Sequence, residues 1–393
     1  MMGKLKAGHS TGLGHWRGIF AALCALLVGI GLARFAYTPL LPALVTEGWF
    51  STSQAAYLGA SNLAGYLAGA LLARSLAARS SNRFALRAGM VLASIAFFAC
   101  AQPWSFGWFF IWRFAAGLTG GVLMVLAAPT VLPLVPAHRL GLSGGVIFTG
   151  VGLGIALSGT LVPVTLEWGL TETWVCLGLL AVLLTAASWN SWPVTATNDK
   201  AAKTSRPMAS LALNSLYLEY GLNAVGLVPH MLFLVIFAAQ GLDQGLTVGA
   251  FYWVLFGLGA MSGPVMVGYL ADRVGFLGAL RLGYGLQAIL IGALIFTDHA
   301  VVLVLSSLVM GAFVPGSTTL VSGRLRELMA DDPTGQTGGW RLATIAFAMG
   351  QAAGAYGLSY LFDLGSNYRM LFAAGAGALV LALGLNILTG RRT

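Results

Sequence analysis

Between Ile19 and Leu388 the chain is a succession of apolar runs, each near the length that crosses a bilayer, and the breaks between them alternate in the sign of their charge. A helix needs about 20 apolar residues to cross the hydrocarbon layer. In lipid every backbone N–H and C=O must be paired internally, so a run of this length is read as one helix. The runs are Ile19–Val45, Ser53–Ala77, Phe84–Ala101, Phe106–Val135, Leu142–Leu166 and Trp174–Trp192, then Leu211–Gln240, Thr247–Leu270, Leu277–Phe296, Ala300–Val321, Gly339–Phe362 and Tyr368–Leu388. Pro193–Pro207, with Asn198, Asp199, Lys200, Lys203 and Arg206, is the longest polar stretch and separates the sixth run from the seventh. The expected organisation is a six-helix bundle over 1–192, a cytoplasmic linker over 193–210 and a second six-helix bundle over 211–393.

Composition closes the alternatives. Charged residues make up 8% of the chain, against roughly 25% in an ordinary soluble domain, so a soluble enzyme is excluded. Hydrophobic types reach 58%, which excludes disorder. The 53 glycines follow no triplet period, which excludes collagen. Cys24, Cys100 and Cys176 lie inside apolar runs without metal-type spacing, so neither a disulfide frame nor a metal site is expected. The formal charge of +9 is spread over the ends of the runs and forms no basic patch, so a nucleic-acid partner is not expected. The first run is too long for a signal-peptide core and is read as an uncleaved span.

Orientation follows from the basic residues, which favour cytoplasmic loops. With a cytoplasmic N-terminus, the inside loops hold Arg74, Arg79, Arg83, Arg87, Arg139, Lys200, Lys203, Arg206, Arg273, Arg281, Arg324, Arg326, Arg341, Arg391 and Arg392. The outside loops hold Arg369 and, in place of further bases, Glu47, Glu167, Glu172, Asp243, Asp298 and Asp363. Counting Lys4, Lys6 and Arg17, eighteen of the 21 basic residues fall inside. Twelve spans with both termini inside are therefore expected.

The two halves echo each other. Gly31 and Pro39 match Gly221 and Pro229 at one offset; Gly69 and Arg74 are matched to Gly268 and Arg273; Gly150 and Gly154 match Gly350 and Gly354. Parallel repeats related by an axis along the membrane normal are a known transporter plan.

The break after the eighth run reads Gly268-Tyr-Leu-Ala-Asp272-Arg273-Val-Gly275, followed by Arg281. It resembles the loop motif of the major facilitator superfamily. The resemblance implies a gating latch of Gly268, Asp272, Arg273 and Gly275 that holds the halves together in the outward-facing state. The first-half copy, Gly69-Ala-Leu-Leu-Ala73-Arg74, has Ala where the motif has Asp. Arg113-x-x-x-Gly117 resembles the superfamily's Arg-x-x-x-Gly element. Gly141, Gly150, Gly154 and Gly159 resemble its antiporter glycine pattern, with Ile155 in place of Pro and Ser158 in place of Gly. More narrowly, Gly31-Leu-Ala-Arg34-Phe35-Ala-Tyr37-Thr-Pro39-Leu-Leu41-Pro42, with Glu219-Tyr220-Gly221…Pro229-His230, is similar to YbfB/YjiJ-type members of the superfamily.

Ionisable groups inside spans are costly and mark function. They are Arg34, Arg113, Glu219 and His230. A planar guanidinium suits bidentate binding of carboxylate or phosphate, so Arg34 and Arg113 are candidate substrate ligands. The competing readings are an Arg held by an internal acid or carbonyls, and an Arg113 that organises a helix interface. Glu219 is the candidate proton carrier. His230, whose side-chain type titrates near neutral pH, is a candidate ligand or a packed histidine. Tyr37, Asn223 and Gln351 are further candidate substrate-binding residues, adding hydrogen bonds or an aromatic wall.

The sequence thus predicts an all-α membrane protein of the major facilitator type, a multi-pass protein of the bacterial cytoplasmic membrane. It would carry a small organic solute, an organic anion by preference, by proton-coupled alternating access. Without a Walker motif it is not expected to hydrolyse ATP. It would need no cofactor and would work as a monomer with protons, a solute and the lipid bilayer as partners. Proton-driven efflux of amphipathic compounds, or a membrane receptor or scaffold, stands as the alternative.

Overall fold

The computed structural model describes residues 13–136, 140–193, 210–332, 335–365 and 367–389. Arg139, Lys200, Lys203, Arg206, Arg391, Arg392 and almost all of the 193–210 linker lie outside them. Among the described residues the chain is helical throughout, with no strand.

Among the described residues ten helices are long and apolar enough to cross a membrane: α1 (His15–Thr46), α2 (Thr52–Arg79), α3 (Asn82–Ala99), α4 (Phe106–Leu134), α5 (Ser143–Leu166), α6 (Leu170–Ser188), α7 (Leu211–Gly241), α8 (Gly245–Ala293), α9 (Ala300–Leu328) and, after an eleventh long helix, Tyr368–Thr389. That eleventh helix is α10 (Gln336–Gly365), and Tyr368–Thr389 is α11. Serine caps set several starts. Ser51 accepts from the Gln54 N–H while the Gln54 side chain accepts from the Ser51 N–H, a full capping box. Ser81, Ser105 and Ser210 cap α3, α4 and α7, each accepting from the N–H three residues on, without the reciprocal bond. Each serine satisfies a donor that lipid would leave unpaired.

α8 is unlike the others. Its 49 residues would extend about 74 Å at 1.5 Å per residue, more than twice the hydrocarbon thickness of about 30 Å. Gly275 interrupts it with φ 74° and ψ 160°, a conformation open to glycine and strained for other residues. The element is therefore two helices meeting at Gly275, where the sequence also places a break.

Close backbone packing repeats along the chain. A Cβ on Gly65 would strike the Phe114 carbonyl, one on Gly69 the Leu118 carbonyl and one on Gly117 the Asn62 carbonyl, locking α2 to α4. The same three contacts recur between α8 and α9, each displaced by 194 residues: Gly259 on Leu308, Gly263 on Ala312 and Gly311 on Phe256. Gly31 meets Gly150 and Gly154, and Gly221 meets Gly350. Matched glycines thus make corresponding contacts within each half, Gly31 on Gly150 as Gly221 on Gly350, small residues that let membrane helices approach closely.

One match is corrected. The counterpart of Gly69 in the repeat is Gly263, which meets Ala312 as Gly69 meets Leu118, whereas Gly268 has no neighbour where a Cβ would stand. The 194-residue displacement sets Arg79 opposite Arg273 and Ala78 opposite Asp272. The acid is missing from the first half, as expected, but at Ala78.

Candidate functional site

The first membrane helix is not a regular α-helix. Leu13–Leu26 is α-helical, Leu27–Leu32 is π-helical, and residues 33–36 form a turn before the helix resumes at Tyr37–Thr46. π-Segments inside helices often accompany functional sites. Here the turn carries Arg34, and the Ala33 carbonyl accepts from Arg113 Nη1 at 2.8 Å. α7 is irregular as well, π-helical at Pro229–Phe233 and again at Phe237–Gly241.

These irregularities frame a small cavity of about 10 Å³ lined by Arg34, Asn62 and Arg113 together with Phe35, Met231 and Leu232, about the space of one water. Arg113 is buried at 2% exposure, and its guanidinium stacks on the Tyr37 ring. Arg34 lies 5.2 Å from the centre of the Tyr66 ring and 5.0 Å from that of Phe35. Such cation–π contacts contribute about 0.5–2 kcal/mol each, and they orient the planes without neutralising the charge. Among the described residues the ion pairs are Arg324–Glu327 and Arg369–Asp298, both outside the cavity. Arg34 Nε and Arg113 Nε are buried without a hydrogen-bond partner, as are Asn62 Oδ1 and Gln351 Oε1. A buried guanidinium without a carboxylate is unfavourable unless something negative joins it.

Gln351 of α10 reaches the same place. Its Nε2 lies 3.6 Å from Met231 Sδ, and Arg34 Nη2 lies 3.8 Å from the same sulfur. Tyr37 stands one layer behind, its hydroxyl donating to the Ala55 carbonyl at 2.7 Å. Of the expected ligands, then, Arg34, Arg113 and Gln351 converge and Tyr37 supports them.

Asn223 and His230 are not brought to this cavity. Asn223 donates to Gln287 Oε1 at 3.1 Å. His230 Nε2 lies 3.2 Å from Ser306 Oγ, with the ring edge-on to Phe372. Both face neighbours within the second half of the chain. Glu219 also stands apart. Ser215 Oγ donates to its Oε1 at 2.9 Å and Asn386 Nδ2 to its Oε2 at 2.7 Å, while Arg281 Nε donates to Asn386 Oδ1 at 2.9 Å. The carboxylate thus meets a cation of α8 through one amide of α11.

At the loop motif, Asp272 is exposed and makes no ion pair among the described residues. Arg273 folds back on Tyr269, stacking on the ring and donating to its hydroxyl. Gly275 supplies the turn and Gly268 stands clear of neighbours.

Met231, Thr38 and Phe35 carry part of the site, and sequence reasoning missed them. Each is an ordinary residue in an apolar run, and only the fold places it opposite a guanidinium or across from another span.

The family model described as "Uncharacterised MFS-type transporter YbfB" matches residues 26–387. The chain belongs to that family of the major facilitator superfamily. It is a multi-pass membrane protein and a secondary transporter. The gentisate transporter of Corynebacterium glutamicum is 23% identical over a 404-residue alignment that covers 93% of this chain and 87% of that protein. The crystal structure of a D-xylose-proton symporter superposes with a TM-score of 0.72 at 16% identity, covering 93% of this chain and 96% of that one. At that identity the likeness is one of fold.

Proposed function

We propose that this transporter carries a small organic anion, a monocarboxylate of gentisate type, across a bacterial cytoplasmic membrane by proton-coupled alternating access. The observation that carries this reading is the pair of guanidiniums, Arg34 and Arg113, in one cavity without a carboxylate to balance them. Charge-assisted, bidentate pairing with a carboxylate is the chemistry such groups perform best. The rings of Phe35 and Tyr66 beside Arg34 suit a ligand with an apolar or aromatic body. The likeness to a gentisate transporter, whose named cargo is an aromatic carboxylate, supports the same class.

Taking α8 as two spans and α10 as a span gives twelve, arranged as bundles over 1–192 and 211–393 joined by the 193–210 linker. The charge asymmetry of the loops supports both termini inside. In that orientation the contacts between the halves support an inward-facing state. Among the described residues the hydrogen bonds that cross between the halves link Arg34, Thr38, Pro42, Thr46 and Ser158 to Met231, Gln240 and Trp253. All lie toward the end of the molecule that carries the acidic loops around Glu47, Glu167 and Asp243. The disengaged Asp272 agrees, since the latch it resembles belongs to the outward-facing state.

For proton coupling the candidate is Glu219, which is buried, hydrogen-bonded and one amide away from Arg281. A carboxyl so placed can exchange its proton for a new set of partners when the helices shift. The carrier works as a monomer in this reading.

The test is counterflow of labelled gentisate and labelled benzoate in proteoliposomes. Truncating one partner of a buried charge pair costs about 2–5 kcal/mol, which is roughly 30-fold or more in affinity at 1.4 kcal/mol per decade. Arg34→Ala is expected to lose counterflow by at least that factor while still inserting and purifying. Undiminished counterflow by Arg34→Ala would overturn the reading.

A further inference from the structure

We infer that Met231 is the specificity-determining residue of the carrier, its thioether holding between Arg34 and Gln351 the acceptor position that the substrate carboxylate takes during transport. The inference rests on the reading of Arg34 as an anion ligand. Three observations carry it. Two strong donors from different helices, Arg34 Nη2 and Gln351 Nε2, converge on the one sulfur at 3.8 and 3.6 Å. A thioether is a weak acceptor, so both donors are poorly used there, and a carboxylate oxygen in its place would gain charge-assisted bonds. Both donor groups also carry a further buried polar atom without a partner, Arg34 Nε and Gln351 Oε1.

The second part concerns the backbone. Met231 sits in the π-helical stretch Pro229–Phe233, and its carbonyl accepts from the Thr38 hydroxyl at 2.6 Å. The main chain of α7 is thereby tied to α1 through the carbonyl, a bond that does not involve the side chain. Methionine has three rotatable bonds and a soft terminus, so it adapts to a new neighbour at small cost. A ligand that displaces the thioether must bring an apolar body to occupy the volume the side chain leaves. This selects a carboxylate with a compact hydrophobic part over inorganic anions, and it places the selecting residue at a contact between the two halves of the chain.

The experiment has two arms on purified full-length protein. In the first, thermal shift is measured with gentisate, benzoate and 2-naphthoate. Met231→Ala is expected to change the preference for naphthoate over benzoate by at least tenfold toward the larger anion. In the second, a double-mutant cycle pairs Met231→Glu with Arg34→Ala without any added anion. Met231→Glu is expected to raise the thermal midpoint above that of Met231→Gln when Arg34 is present, and to lose that advantage in the Arg34→Ala background. If Arg34→Ala abolishes binding while Met231→Ala leaves the preference unchanged, the inference about Met231 fails and the anion reading stands. If Arg34→Ala binds all three anions as the wild type does, the anion reading itself fails. If the wild type responds to none of them, the cycle decides: no coupling between the two positions overturns the placement of Met231.

Discussion

The guanidinium of Arg113 lies 4.2 Å from the centre of the Tyr37 ring. The same group donates to the Ala33 carbonyl at 2.8 Å, so α4 grips the irregular turn of α1 that carries Arg34. A lysine cannot reproduce a planar stack and a directed N–H together. Arg113→Lys is therefore expected to lower transport at least tenfold. Tyr37→Phe keeps the ring, gives up only the bond to the Ala55 carbonyl, and should retain more than half of wild-type transport. Counterflow rates of the two variants, normalised to inserted protein, check the ordering. Equal losses would show that the Tyr37 hydroxyl matters as much as the Arg113 guanidinium.

Glu219 is held by Asn386 at 2.7 Å, and Asn386 in turn accepts from Arg281 at 2.9 Å. Removing the amide leaves a buried carboxylate short of a donor, which costs about 1–3 kcal/mol. Asn386→Leu is expected to lower the thermal midpoint, and Glu219→Gln, which keeps two polar atoms of similar shape, to lower it much less. Glu219→Gln should abolish accumulation driven by a pH gradient and spare exchange of labelled for unlabelled solute. Gradient-driven uptake that survives in Glu219→Gln would remove this residue from the coupling.

How far the sequence could be read depends on contrast. Arg34, Arg113 and Glu219 are legible because a charge inside an apolar run is costly and needs a partner or a role. The glycine matches Gly31–Gly221 and Gly150–Gly350 are visible because the repeat keeps them, and they make equivalent contacts, Gly31 on Gly150 and Gly221 on Gly350. Gly69 and Gly268 open similar short motifs, but helix packing keeps the 194-residue register through Gly263. Met231 had no contrast at all. An apolar residue acquires a role only when the fold sets two donors against it, and no periodicity reports that. His230 and Asn223 had contrast but face Ser306 and Gln287 instead of the cavity, and nothing in a linear sequence tells which side of a buried helix meets the other half.

The repeated packing makes a prediction that depends on position. A Cβ at Gly117 or at its counterpart Gly311 would meet a backbone carbonyl across the helix pair. Backbone cannot yield as a side-chain end can, so both Ala substitutions are expected to lower the thermal midpoint by several degrees and to reduce yield. Gly377, with nothing near its Cβ position and its surface exposed, should accept Ala with a gain of about 0.5–1 kcal/mol from helix preference. Matching losses at residues 117 and 311 with none at 377 would support equivalent interfaces. A tolerated Gly311→Ala beside a damaging Gly117→Ala would argue against them.

Gln240 Nε2 bridges the Pro42 carbonyl and the Thr46 hydroxyl, both at 3.2 Å. It thus ties the end of α7 to the end of α1, across the two halves. If transport alternates access, this tie must open once in each cycle. A cysteine pair placed by Thr46→Cys and Gln240→Cys and joined by a short thiol-specific bifunctional reagent should hold the halves together at this end. Cys24 and Cys100 are buried, while Cys176 is partly accessible, so the pair is best made in a Cys176→Ser background. Counterflow is expected to fall to the level of empty liposomes on cross-linking and to return when a cleavable linker is reduced. The single variants treated identically should be unaffected. Full transport by a verified cross-linked species would mean that this end stays closed throughout the cycle, and the proposed rocking of two halves would have to be abandoned.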